Sequence, residues 1–155
     1  IALELGVSVK NIQAMVLGSH ADLMVCLNDS IMVNGAPLSQ RLPAGELDQL
    51  VARTRDGGAE IVALLKQSSA YYAPASGVVQ MATAILRDAH RVLPACVLLD
   101  GEYGLRGVCI GVPAELAAKG VVRVVEQPLR PEEREALHKA AEQVRSQTQQ
   151  VLSLT

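Results

Sequence analysis

No block of like charge runs anywhere in this chain. Fourteen Lys and Arg face sixteen Asp and Glu for a formal net charge of −2, and cations such as Lys10, Arg41, Arg53, Arg91, Arg123 and Arg134 are scattered among the acids. A nucleic-acid or anionic-membrane surface needs clustered positive charge, so neither partner is expected. No apolar run reaches membrane-spanning length. The opening Ile1-Ala2-Leu3-Glu4-Leu5 also lacks the basic start and cleavage site of a signal peptide. Neither CxxC nor HxxxH spacing occurs, so no metal site is expected. The three cysteines, Cys26, Cys96 and Cys109, are odd in number and sit in apolar runs. That placement predicts buried, reduced thiols in a cytoplasmic protein.

What is present is apolar bulk. Half of the 155 residues are hydrophobic, enough for one compact domain over 1–155 with a real core and too little for two. The chain opens in mid-pattern, without methionine or a capping residue, as a piece of something longer would.

Read in order, Ala2 to Gly6 ends a helix at the glycine, and Val7 to Ile12 is a connector with some helical character. Met15 to Leu17, Met24 to Leu27 and Ile31 to Val33 are short strands, and Asn34-Gly35 is a tight turn closed by Pro37. From Gly45 the apolar period becomes helical: Leu47, Leu50, Val51 and Thr54, then Ile61, Val62, Leu64 and Leu65 after the Gly57-Gly58 pair. This is one long helix bent at the glycines, or two end to end. A close approach of another backbone or a ligand to those glycines is the second reading.

The segment Ser68-Ser69-Ala70-Tyr71-Tyr72-Ala73-Pro74-Ala75 gathers two of the three tyrosines among small residues, with Pro74 placed for the first turn of a helix. Core-edge packing with satisfied hydroxyls is the simpler reading of Tyr71 and Tyr72. Val78, Val79, Ala82, Ile85 and Leu86 give the following helix an apolar face. Val92 to Leu99 is a buried strand whose Pro94 implies an edge or a bulge. The Gly101-to-Gly107 turn has GxxGxxG spacing and leads into the strand Val108 to Pro113, so it is a hairpin and not a dinucleotide loop, which needs a helix N-terminus. Ala114 to Gly120 reads as a turn and Val121 to Val125 as a strand. Pro131 with Glu132 and Glu133 opens a final helix with Leu137, Ala140, Ala141, Val144 and Val151 on one face and His138 solvated off it. Antiparallel hairpins and long helices without a βαβ rhythm make the fold α+β.

One stretch organises the rest. In Met15-Val16-Leu17-Gly18-Ser19-His20-Ala21-Asp22-Leu23-Met24-Val25 two apolar runs hold a histidine at the tip of a strand-loop-strand unit. An imidazole, whose ordinary pKa is near ~6.5, gives or takes a proton close to neutrality, which suits a general base. A lone loop histidine is nevertheless more often solvated than catalytic.

Further motifs lie in register with that loop. Val9 to Asp22, Val33-Asn34-Gly35-Ala36-Pro37-Leu38, Arg55-Asp56-Gly57-Gly58-Ala59-Glu60-Ile61-Val62, Ser69-Ala70-Tyr71-Tyr72-Ala73-Pro74-Ala75, and Arg91-Val92-Leu93-Pro94 with Gly101-Glu102-Tyr103-Gly104 follow in order. Together they resemble the C-terminal domain of the lactate/malate dehydrogenase family. SAYYAPA and GEYG look most like the lactate-dehydrogenase-like branch of bacterial malate dehydrogenases.

The resemblance implies a catalytic domain whose NAD-binding partner domain lies upstream of Ile1. It implies that His20 accepts the proton when malate is oxidised while hydride passes to NAD, and that Asp22 is structural. Ser69 and Ala70 would line the substrate, a small 2-hydroxy or 2-oxo dicarboxylic acid, and Pro74 would lie near the nicotinamide. A homo-oligomer, dimer or tetramer, in the cytoplasm is implied as well.

The loop departs from the family's usual Gly-Gly-His-Gly-Asp-Thr-Met-Val-Pro, carrying Ser19, Ala21, Leu23 and Cys26. A β-carbon at Ala21 costs ~1 kcal/mol if that residue takes positive φ. The family's histidine-orienting aspartate and substrate-clamping arginines belong to sequence before Ile1, so the isolated chain is expected not to turn over malate. Two other readings stand beside this one: a non-catalytic assembly or partner-binding module built on the same fold, and lactate or another 2-hydroxy acid as substrate.

Overall fold

The computed structural model describes residues 1–20 and 23–154. Helix α1 (Ala2–Leu5) stops at Gly6, whose φ of 61° is the left-handed cap the sequence predicted. Five short strands follow: β1 (Ile12–Gln13), β2 (Val16–Gly18), β3 (Met24–Cys26), β4 (Met32–Val33) and β5 (Ala36–Pro37). Then come α2 (Ala44–Leu65), α3 (Tyr72–Leu86), β6 (Arg91–Asp100), β7 (Arg106–Ala117), β8 (Gly120–Val124) and α4 (Pro131–Leu152). Strand pairings among the described residues are antiparallel, which places the chain in the α+β class.

One sheet has the order β1-β4-β5, with the Asn34-Gly35 turn at φ 51° and 77° joining β4 to β5. The other has the order β3-β2-β7-β6, and β8 lies on the same side of β7 as β2. Pro94 sits in β6, an edge strand, where a missing N–H costs no ladder bond.

Three apolar clusters hold these layers. The largest joins Leu17 and Val25 of the β2–β3 hairpin, Val108, Ile110 and Val112 of β7, and Leu137, Ala140 and Ala141 of α4. The small alanines let α4 approach the sheet closely. A second packs Ala84 of α3 on Ala95, Ala114 and Leu116. The third gathers Ile31, Val33, Leu38 and Leu42 under α1 and the start of α2.

Several expectations fail here for physical reasons. Ala114 to Ala117 is not a turn but the end of β7, because β8 supplies a ladder partner that outweighs the helical propensity of Ala-Glu-Leu-Ala. The turn is confined to Ala118 and Lys119. Cys96 and Cys109 are exposed and Cys26 half-buried, so the apolar neighbours in sequence do not bury them. On α3 the buried position is Ala84, with Met81 and Ile85 beside it, whereas Val78, Val79 and Leu86 are 65%, 63% and 86% exposed. His138 is not solvated: its Nε2 lies 3.0 Å from the Tyr103 carbonyl oxygen. Helix α2 is continuous, and a Cβ at Gly57 or Gly58 would meet nothing within 4 Å, so among the described residues no neighbour approaches either glycine.

Candidate active site

The histidine loop grows out of the β2–β3 hairpin. Leu17 and Val25 face each other across it at 2% and 5% exposure, which anchors the base of the hairpin in the main core. At its tip Gly18 takes φ +91°, and a β-carbon there would lie 2.5 Å from the Leu23 carbonyl oxygen. No L side chain fits that position. The Ser19 N–H reaches the same carbonyl at 3.4 Å, closing the loop.

On its other edge Gly18 pairs with Gly111 of β7, where a β-carbon would meet the Gly18 carbonyl oxygen at 2.7 Å. Two glycines thus let the loop's root press against the central strand. Reading Gly111 only as part of a returning strand missed this. Its signal was a glycine inside an otherwise apolar strand.

His20 lies just beyond Gly18 and is exposed, outside every apolar cluster. Ala21 and Asp22, the residues expected to strain and support the loop, lie outside the described residues. Leu23 is half-buried against the main cluster and holds the loop's exit. Helix α2 reaches the same hairpin through Arg55, whose Nη2 donates to the Met24 carbonyl at 3.3 Å. Burial pushes the Cys26 thiol up, and the Arg55 charge opposes that shift.

Ser69 and Ala70 lie in the connection between α2 and α3, exposed and half-buried respectively. The Ser69 carbonyl accepts the Tyr71 N–H at 2.9 Å, which turns the chain into α3. Pro74 is exposed in the first turn of α3, where its fixed φ suits the helix start. Tyr71 and Tyr72 stack with ring centroids 4.6 Å apart and stand 51% and 70% exposed. Core-edge packing does not describe them.

Among the described residues no hydrogen bond or ion pair joins His20 to Ser69, Ala70 or Pro74. The chain presents the four on its surface in two segments, the hairpin tip and the entry to α3. The groove of about 740 Å³ beside β6 is lined by other residues, including Gln13, Gln80 and Arg91.

Sequence reasoning also missed the support beneath GEYG. Tyr103, 2% exposed with φ 54°, accepts the Gln127 N–H on its hydroxyl at 2.9 Å. Its own N–H donates to Glu126 Oε2 at 2.6 Å. One residue therefore ties the β6–β7 turn to the lead-in of α4.

No group of three or more His, Cys, Asp or Glu among the described residues could hold a metal ion. The first turn of α3 offers an exposed, uncharged surface of Ala73, Pro74 and Ala75. That surface can pack against the face of a flat ring. It carries no cation or glycine-rich helix start for the phosphates of a dinucleotide, and the 101–107 glycines form the β6–β7 hairpin instead.

Comparison with known proteins gives these features a family. The model for the lactate/malate dehydrogenase alpha/beta C-terminal domain matches residues 1–155. The chain is 52% identical over 144 residues to a malate dehydrogenase of Staphylococcus saprophyticus, covering 93% of this chain and 46% of that protein. A malate dehydrogenase structure from Salinibacter ruber superposes with a TM-score of 0.95 at 40% identity, over 99% of this chain and 50% of the other. The malate dehydrogenase of Plasmodium falciparum in complex with NADH superposes at 0.92 with 34% identity, over 99% of this chain and 52% of the other. The chain spans about half the length of the curated relatives it matches. It belongs to the lactate/malate dehydrogenase family, as an instance of that family's C-terminal domain.

Proposed function

We propose that residues 1–155 form one catalytic domain of a cytoplasmic, NAD-dependent malate dehydrogenase and that His20 is its proton acceptor. The observation that carries this reading is an exposed histidine on a loop whose root admits only glycine, in a chain about half identical to malate dehydrogenases. Bound NAD would supply the hydride acceptor. The imidazole of His20 takes the proton from the 2-hydroxyl of malate as the C2 hydride leaves, and returns it when oxaloacetate is reduced.

Ser69 and Ala70 line the substrate side, the hydroxyl of Ser69 offering one hydrogen-bonding group and Ala70 leaving room. Pro74 and Ala73 form an apolar wall against the nicotinamide. The groups that hold the NAD phosphates, clamp the substrate carboxylate and orient the imidazole belong to an NAD-binding domain outside residues 1–155. Alone, the chain is inactive, since an unoriented imidazole forfeits up to ~10⁴ in rate. A homo-oligomer covers the bare faces of α2 and α3.

In the intact protein, His20→Asn is expected to lower malate turnover by about 10²–10⁴ while NAD binding, read by nucleotide fluorescence, stays intact. Unchanged turnover removes His20 from the reaction. Turnover of lactate in preference to malate by the parent protein overturns the dicarboxylic substrate and leaves the proton relay standing.

A further inference from the structure

The β6–β7 ribbon places two exposed, free thiols on one face. Cys96 lies opposite Gly111 and Cys109 opposite Leu98, so the cysteines occupy diagonal positions two residues apart in register. Strand alternation puts both on the outer side with Pro94 and Leu98, while Ala95, Leu99, Val108, Ile110 and Val112 face the core. Diagonal neighbours on one face have Cβ atoms about 7 Å apart or a little less, within reach of two sulfurs sharing one atom between them. Gly111 has no side chain, and the Gly18 carbonyl oxygen lies 2.7 Å from the place its β-carbon would take. Cys109 is exposed and lines a groove of about 380 Å³ with Leu98, Val144 and Thr148.

We propose that Cys96 and Cys109 form a two-sulfur site for a soft, monovalent, thiol-seeking cation of the Cu(I) class. Each thiol gives its proton to solvent and one metal–sulfur bond forms to each sulfur. The cation arrives and stays as Cu(I), so nothing is oxidised or reduced. Soft thiolates select such an ion over hard divalent cations. Each thiol gives up its proton on binding, so occupancy rises with pH. Direct bridging by a disulfide is the poorer use of this geometry, because diagonal positions lie at or beyond the reach of an unstrained S–S link. This inference does not depend on the dehydrogenase reading.

The test titrates the intact protein, reduced and anaerobic, with Cu(I) against bicinchoninate as competing chelator. One Cu(I) per chain is expected. Losing either sulfur removes the chelate, so C96S and C109S are each expected to weaken binding by about a hundredfold or more, with C26S unchanged and far-UV circular dichroism confirming the fold of all three. The proposal fails if the parent takes up no Cu(I), if C96S or C109S binds as the parent does, or if only C26S loses the ion.

Discussion

Helices α2 and α4 are equal in length at 22 residues each, and they live in different surroundings. α4 buries Leu137, Ala140 and Ala141 completely against the sheet and begins with Pro131 at its first turn. The buried carboxylate of Glu133 reaches back to the Arg130 N–H at 2.9 Å and holds the Arg130 guanidinium at the same distance. α2 touches the small third cluster only through Leu47 and Leu50, and its last turns leave Ile61, Val62, Leu64 and Leu65 between 39% and 76% exposed. Amphipathicity alone therefore does not say what a helix packs on. The middle of α4 is covered within this chain, although Val151, expected on its apolar face, is exposed in the last turn. By contrast, α2 and the neighbouring α3, with Val78 and Val79 bare, present a larger apolar surface.

The contrast is sharpest at two leucines. Leu137→Ala in α4 is expected to lower unfolding stability by about 2–5 kcal/mol, because a fully buried side chain leaves a cavity. Leu64→Ala, at a site 76% exposed, is expected to change intrinsic stability by no more than about 0.5 kcal/mol. Its effect should appear in sedimentation as dissociation at higher protein concentration. Equal losses for the two variants in urea unfolding at every protein concentration would break the comparison.

Glycines divide in the same way. Gly18→Ala, forced against a carbonyl at 2.5 Å with φ +91°, is expected to cost about 1–3 kcal/mol and to disturb the histidine loop. Gly57→Ala in the open middle of α2 is expected to gain roughly 0.5–1 kcal/mol, since only helix propensity changes there. A loss at Gly57 in the intact protein, seen by thermal unfolding, would instead reveal a body pressed against α2.

The smallest effect lies where α3 meets β7. Glu115 is held below the usual carboxylate range, first by its hydrogen bond with His90 at 2.8 Å, with burial opposing and Arg123 at 2.7 Å adding. A carboxyl lowered in the folded state contributes stability above its unfolded pKa and loses it as pH falls through the folded value. Glu115→Gln is therefore expected to be the less stable protein at neutral pH. Its deficit should close below about pH 4, near and under the ordinary glutamate range. A deficit that persists unchanged at acid pH would assign it to packing.

Much of this was legible where one residue type dictates one geometry. Gly6, Asn34-Gly35, Pro94 and Pro131 each fell where backbone sterics require, and the glycines after β6 were a hairpin and not a phosphate loop. The failures share a cause: they depended on what lies on the far side of an element. Cys96 and Cys109 read as buried because their neighbours are apolar, yet both side chains alternate away from the core and are exposed. Ala114 to Ala117 read as a turn because nothing local announces that β8 will pair with it. Within the site, the hairpin carrying His20 was readable from two apolar runs around a polar tip. The Gly18–Gly111 approach was not, because it joins strands far apart in sequence.

The central claim is that His20 carries the proton of a dehydrogenase reaction, and its most direct test is the pH profile of kcat/KM in the intact protein, measured for malate oxidation and for oxaloacetate reduction. A base that must be unprotonated in one direction and protonated in the other gives limbs of opposite sense that share one apparent pKa. Both limbs should vanish in His20→Asn, leaving a low, flat residual rate. Limbs that survive unchanged in that variant would show that another group moves the proton.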